Sequence, residues 1–206
     1  MLVDILKQYC AGYDLVIFDI NGVLDNNHDA KVAMLSAEFP EMSDLLISKV
    51  NIDMERAYEK SQSGSTASHI QIALGDNGIV IDDAKANVLS NTYYDLNRIH
   101  PELIDFLNEL SQVKKVCLYT SLSREKVDFI TSRGTLSPDI LFFSREEQVE
   151  SKPSIRNLER ILDITGVPAD KAILFGDNVA VDIMPAHLLG IKSILTSNYV
   201  DGFIKL

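Results

Sequence analysis

The chain has 206 residues, 46% of them hydrophobic and 24% charged, and its net charge is −11. That is enough apolar surface for one medium domain, or for a domain carrying a smaller insertion. The acidity argues against non-specific binding to nucleic acid or anionic membrane, whose phosphates it repels. Any phosphate chemistry needs a local cation: a metal ion, a lysine or helix N-termini.

The first ten residues include Asp4, in an apolar stretch too short for a signal peptide. No run approaches the ~18 apolar residues of a membrane span, so a cytoplasmic protein is expected. The two cysteines, Cys10 and Cys117, are far apart in sequence and suggest neither a disulfide framework nor a zinc site. Cys117 lies in an apolar run and reads as a buried thiol.

In chain order, a first apolar run spans residues 15–20 and reads as a strand. Residues 26–97 then carry helical patterns and almost no strand signal. They are punctuated at 61–65 (SQSGS) and by a turn at 75–78 (GDNG), and Asp82 and Asp83 mark a helix start. Pro101 opens a helix with Leu103, Ile104, Phe106, Leu107 and Leu110 on one face. Strands follow at 115–119, 140–143, 172–175 and 191–195. A helix at 153–164 turns Ile155, Leu158, Ile161 and Leu162 inward and is closed by Gly166 and Pro168. Continuous rather than alternating hydrophobicity marks strands covered on both faces. The fold expected is α/β: a doubly wound, Rossmann-like parallel sheet core, residues 1–25 and 98–206, with residues 26–97 inserted as a helical cap.

The chemistry sits at the strand ends. The first strand runs into Asp19-Ile20-Asn21-Gly22-Val23-Leu24, the second into Thr120-Ser121, and the fourth into Gly176-Asp177 with Asp182 beyond, while Lys152-Pro153 opens the helix after the third. In a parallel sheet these ends share one edge. Taken singly, an Asp after a strand is a common turn or helix cap, Thr120 a common N-cap and Lys152 an ordinary solvated lysine.

Together they resemble the haloacid dehalogenase superfamily, over residues 13–25 and about 99–200. Asp19 to Leu24 match the Asp-x-Asp-Gly-x-Thr/Val-Leu motif except at Asn21; Thr120 fits the hydroxyl motif, Lys152 the lysine motif, and Asp177 with Asp182 the Gly-Asp-x-x-x-x-Asp motif. The helical insertion is similar to the subgroup that includes phosphoglycolate phosphatase. The resemblance implies that the Asp19 strand is central and that Asp19 is a nucleophile forming an aspartyl phosphate. It implies Mg²⁺ held by Asp19, the backbone carbonyl of Asn21 and Asp177, with Asp182 in support. Thr120, Ser121, Lys152 and the backbone at Gly22 would bind the phosphoryl group of a small phosphorylated metabolite.

Asn21 departs from the motif, whose phosphatases carry the acid-base Asp there. An amide cannot transfer a proton at neutral pH, and loss of a general acid-base costs ~10²–10⁴ in rate. Four readings stay open: a slow phosphatase, a ligand-binding relative with little turnover, an enzyme whose substrate needs no acid, or an engineered trap. Carbon–halogen cleavage fits poorly with the full metal motif. Carbon–phosphorus cleavage needs a cap lysine, for which Lys31, Lys49 and Lys60 are available, each read as a surface lysine. His28, His69, His100 and His187 read as surface or capping residues. Ser65, Thr66, Ser68 and His69 read as an interhelical loop, with contact to a leaving group as the alternative. Ile155 stands where relatives often have a second proline, a change of packing rather than chemistry.

Overall fold

The computed structural model describes residues 2–61, 65–131 and 135–196. Five short strands, β1 (Leu15–Phe18), β2 (Lys115–Tyr119), β3 (Leu141–Phe143), β4 (Ala172–Gly176) and β5 (Lys192–Leu195), form one parallel sheet in the order β3-β2-β1-β4-β5. β1 is thus central, and the chain moves outward from it in both directions.

Alternate residues of the apolar runs serve opposite faces, as the two-residue period of a strand requires. Val16, Phe18, Val116, Leu118, Ile173 and Phe175 point into one core. It is covered by α1 (Leu2–Cys10), α6 (Pro101–Ser111) and α7 (Arg124–Ile130). There Phe18 stacks on Phe175 with centroids 4.9 Å apart and meets the edge of Phe106 at 6.3 Å. Leu15, Ile17, Cys117, Tyr119, Ala172 and Leu174 point into the other core, covered by α8 (Ile155–Thr165) and α9 (Met184–Leu188). Both faces are apolar, which is why the strands read as continuous runs. Cys10 and Cys117 are buried free thiols, one in each core.

Local signals set the helix ends. Ser154 caps α8 by accepting from the Asn157 amide, and Gly166 ends it at φ +65°, a conformation that favours glycine. The helix therefore starts two residues after Pro153. Its buried face is Asn157, Leu158, Ile161 and Thr165; Ile155, expected inward, is exposed because it occupies the first turn. The helices α1 and α7 were not anticipated.

Residues Asn27–Arg98 form a second compact unit, separate from the unit of residues 1–26 and 99–206. It consists of α2 (Asn27–Glu38), α3 (Asp44–Ser61), α4 (Thr66–Asp76) and α5 (Asp83–Leu96). Met34, Leu35, Val50, Met54, Ile70 and Leu74 lie in its core. Ser65 caps α4 and Asp82 caps α5 through their side chains, and the predicted turn at 75–78 closes α4. Residues 62–64 of the predicted break lie outside the described residues.

Candidate active site

The strand ends converge as the parallel register dictates. Phe18 is level with Leu118 and Phe175, so Asp19, Thr120 and Asp177 all emerge at the carboxyl edge. The Asp19 amide still donates to the Phe175 carbonyl at 2.9 Å. The chain then turns sharply: the Ile20 carbonyl accepts from the amides of Val23, Leu24 and Asp25 at 3.2, 2.9 and 3.2 Å. Gly22 sits at φ +74°, and a Cβ there would collide with the Asp177 carboxylate. Glycine thus serves both the turn and the close approach. Its amide donates to Asp25 Oδ1 at 2.9 Å, so it is engaged within the loop.

Lys152 ties the site together. Its Nζ donates to Asp19 Oδ1 at 3.0 Å and Asp182 Oδ1 at 2.8 Å, and it lies 4.1 Å from the centroid of the Tyr119 ring. The lysine side chain is 2% exposed, which excludes the reading as a solvated lysine. Asn157, fully buried, holds the loop before it: it accepts from the Val149 amide at 2.9 Å and donates to the Glu150 carbonyl at 2.6 Å and the Tyr119 hydroxyl at 3.3 Å.

After β4 the chain makes a π-helical turn, Val179–Ile183, with Asn178 Oδ1 accepting from the amides of Ala180 and Val181. The wider turn brings the buried Asp182 back against Gly176, where a Cβ would overlap its side chain. Asp19, Asp177 and Asp182 each offer an oxygen within 4.8 Å of the others.

Three carboxylates face one ammonium, and the imbalance shows in the acidity of Asp19 and Asp177. Burial, reinforced by Asp182, pushes the Asp19 carboxyl up to about 7 despite Lys152. Burial and the charges of Asp19 and Asp182 push Asp177 well above the carboxylate range. Burial alone would lower the Lys152 ammonium, but Asp182 and Asp19 outweigh it and raise it. An all-oxygen donor set short of positive charge suits a hard divalent cation.

The predicted residues Asp19, Asn21, Gly22, Thr120, Ser121, Lys152, Asp177 and Asp182 thus all lie at this edge or in its loops. Asn21 and Ser121 are half-buried, and Thr120 is buried. Thr120 is not a helix cap; Ser123 caps α7. Its Oγ1 accepts from the Leu122 amide at 3.3 Å, so its hydroxyl proton can be given to another acceptor. Asp25, Tyr119 and Asn157 were missed. Asp25 closes the first motif, and Asn157 is a polar residue on an apolar helix face; both could have been flagged.

In the helical unit three expectations fail: Thr66, Ser68 and His69, read as an interhelical loop, lie in the first turn of α4, which Ser65 caps, and two side chains are buried. Lys31 is buried and paired with Glu55 rather than on the surface, and His69 is buried too. Packing among α2, α3 and α4 overrides the solvent preference of both. Lys49 is exposed and pairs with Asp53, whereas Lys60 lies outside the residues whose side chains are described. Ser65 and Thr66 are used locally, as the α4 cap and in a 2.7 Å bond to the Tyr94 hydroxyl. His100 and His187 are exposed and His28 is half-buried.

A family model described as haloacid dehalogenase-like hydrolase matches residues 13–190. The chain belongs to that family. It is a haloacid dehalogenase-like hydrolase with the sheet and strand ends just described. Among solved structures it is similar to YfnB of Bacillus subtilis bound to magnesium (TM-score 0.70, 16% identity, covering 92% of this chain and 91% of that one). It is also similar to L-2-haloacid dehalogenase of Xanthobacter autotrophicus (TM-score 0.70, 14% identity, 89% and 77%). A third is named as a predicted phosphoglycolate phosphatase of Haemophilus somnus (TM-score 0.61, 14% identity, 89% and 85%). At these identities the likeness concerns the fold. No curated protein matches the chain. Among the described residues of this hydrolase, no helix is long and apolar enough to cross a membrane.

Proposed function

We propose that the chain is a magnesium-dependent phosphomonoester hydrolase acting on a small phosphorylated metabolite through an aspartyl phosphate on Asp19. The observation that supports this is the buried Lys152 ammonium bonded to both Asp19 and Asp182, with the Asp177 carboxylate beside them. Asp19, Asp177 and the backbone carbonyl of Asn21 would hold the ion, with Asp182 in support. A bound magnesium ion supplies neutralising charge to the phosphoryl oxygens. The helical unit Asn27–Arg98 is read as the cap that selects the substrate.

In the first step an Asp19 carboxylate oxygen attacks phosphorus, the new O–P bond forms, and the ester O–P bond breaks with its electron pair leaving on the ester oxygen. Lys152 orients Asp19 and offsets its charge, and Thr120 donates its hydroxyl to a phosphoryl oxygen. In the second step water attacks the phosphorus, the Asp19 O–P bond breaks with its electron pair returning to the carboxylate, and the water's protons leave on the phosphate product. Asn21 can hydrogen-bond in both steps but can neither give nor take the proton. Leaving groups that depart without protonation, aryl and acyl phosphates, are therefore the favoured substrates.

The same amide supports a second reading, a phosphoryl-ligand-binding relative with little turnover. Kinetics on aryl, acyl and alkyl phosphates separate the two. The hydrolase reading expects aryl and acyl turnover to exceed alkyl, a phosphate adduct by intact mass that is lost in Asp19→Ala, and a gain of ~10²-fold or more in Asn21→Asp. Magnesium and phosphate binding with no adduct and no gain in Asn21→Asp would overturn it in favour of the binding protein.

A further inference from the structure

Of the groups around Lys152, the Tyr119 ring is one that the proposed chemistry does not use. Its place follows from the sheet. Phe18 of β1 is level with Leu118 of β2, so one residue further on Asp19 stands beside Tyr119. Alternation along the strands turns both toward the face that α8 covers, the face of Ile17 and Cys117. Lys152, just before α8, crosses that face to reach Asp19, and the Tyr119 ring lies against its ammonium, 4.1 Å from Nζ to the centroid.

An ammonium has three donors. Two go to Asp19 Oδ1 at 3.0 Å and Asp182 Oδ1 at 2.8 Å. Tyr119 holds a further side, because the negative face of an aromatic ring attracts a cation, most strongly where water is excluded. Water is excluded here: Tyr119 is 1% exposed and the Lys152 side chain 2%. The ring is itself fixed from two directions. Phe143 meets it edge-on with centroids 6.1 Å apart, and its hydroxyl accepts from Asn157 Nδ2 at 3.3 Å. The same nitrogen donates to the Glu150 carbonyl, in the loop that leads to Lys152. One amide thus sets the ring and the lysine's loop relative to each other. Packing alone asks for neither polar group, since apolar side chains at both positions would fill the core with no buried hydroxyl or amide to satisfy.

We infer that Tyr119 is a positioning residue of the active site: its ring, set by Asn157, holds the Lys152 ammonium against Asp19 and so fixes the direction from which the Asp19 carboxylate attacks. This role rests on the reading of Asp19 as the nucleophile. Asp182 competes with Asp19 for the same ammonium, and the ring keeps the charge between the two. With the attraction of the ring removed, the ammonium is free to follow Asp182, and Asp19 loses the partner that orients it. A displacement of about 1 Å at a reacting group costs on the order of 10²-fold in rate. Tyr119 acts through Lys152 and Asp19, so the effect falls on the attack step and leaves substrate binding alone.

The test varies the charge of the ring at nearly constant shape. The full chain with magnesium is compared as the unmodified protein, as Tyr119→Phe, and with mono-, di- and pentafluorophenylalanine at position 119. Fluorine drains negative charge from the ring face, so a ring that only fills the core would leave the rates level. Nitrophenol release from nitrophenyl phosphate in the first turnover reads the attack step. Its limiting rate is expected to stay within about threefold in Tyr119→Phe and to fall stepwise with fluorination, by about tenfold or more at pentafluorophenylalanine. The half-saturating concentration should move less than about twofold, because no phosphoryl contact is lost. Beryllofluoride, which bonds to a carboxylate oxygen as a phosphoryl group does but needs no leaving group, is titrated calorimetrically on the same series. Its binding should weaken in the same order and vanish in Asp19→Ala. Rates or beryllofluoride affinities that are level or rise with fluorination would overturn the inference. So would a loss confined to half-saturation, or an unmodified chain that takes up no beryllofluoride. Graded beryllofluoride binding with no nitrophenol release, in the unmodified chain or in Asn21→Asp, upholds the positioning role and overturns only the hydrolytic reading.

Discussion

Replacing Lys152 by methionine keeps the length of the side chain and removes its charge. The ammonium is 2% exposed and bonded to Asp182, also 2% exposed, and to Asp19, 11% exposed, so the change strands two carboxylates away from water. Removing one partner of a buried pair costs about 3–5 kcal/mol. At about 2–4 °C per kcal/mol for a chain of this length, the metal-free protein should melt roughly 6–20 °C lower near neutral pH. Acid should shrink the deficit. Asp19 already titrates near 7 with Lys152 in place, so at about pH 5 it is protonated in the variant and one of the two stranded charges disappears. Thermal melts of both proteins in EDTA at the two pH values measure this. A variant melting within about 2 °C of the unmodified chain at neutral pH, or a deficit that grows in acid, would refute the buried-bridge argument.

Asp19 is also expected to shape the stability of the unmodified, metal-free protein. Its folded carboxyl is raised from 3.8 to about 7, so its contribution is fully present below about pH 4 and is lost as pH rises through about 7. Urea titrations in EDTA should show stability falling across that window, and a rise would contradict it. Magnesium at about 100 times its Kd should return about 2.7 kcal/mol, and Asp177→Ala should abolish that gain in a thermal-shift assay. Gly22→Ala should cost about 1–2 kcal/mol for its positive φ and also weaken magnesium binding, because its Cβ displaces the Asp177 carboxylate. Gly78→Ala has a similar positive φ but open space at Cβ; it should lose stability alone, and equal magnesium affinity in the two variants would count against the cradle. Asn157→Leu should lower stability by about 2–3 kcal/mol, since the Val149 amide and the Glu150 carbonyl lose their partner. An unchanged melting temperature would show that water replaces it.

The sheet was legible in the sequence because its strands are covered on both faces. Leu15 to Phe18 is apolar at every position, and a polar residue directly after such a run stands at a sheet edge, which is how Asp19, Thr120 and Asp177 could be placed together. The helices next to the sheet were harder. In α7 seven residues bury only Val127 and Ile130, too few to set a period. Ile155 looked inward because it fits the apolar spacing, but a helix's first turn can lie outside the packed layer. The lysines were least legible. A lysine's burial depends on which carboxylates the fold brings within reach of its long side chain. Lys152 finds two and Lys31 finds Glu55, whereas Lys49 stays at the surface with Asp53. Lys152 was marked by the Lys-Pro pair that opens the helix after the third strand, whereas nothing local separates Lys31 from Lys49.

The two thiols in opposite layers of the sheet unit have a practical consequence. Both are buried, and burial pushes Cys10 up to about 12 and Cys117 further still. The thiolate is the reactive form, so neither should react with maleimide near neutral pH while the fold is intact. The natural chain is therefore silent to thiol-directed dyes. One cysteine introduced on an exposed helix position of each unit would carry the only labels, and their energy transfer would report directly whether adding a phosphate analogue changes the distance between the sheet unit and the helical unit.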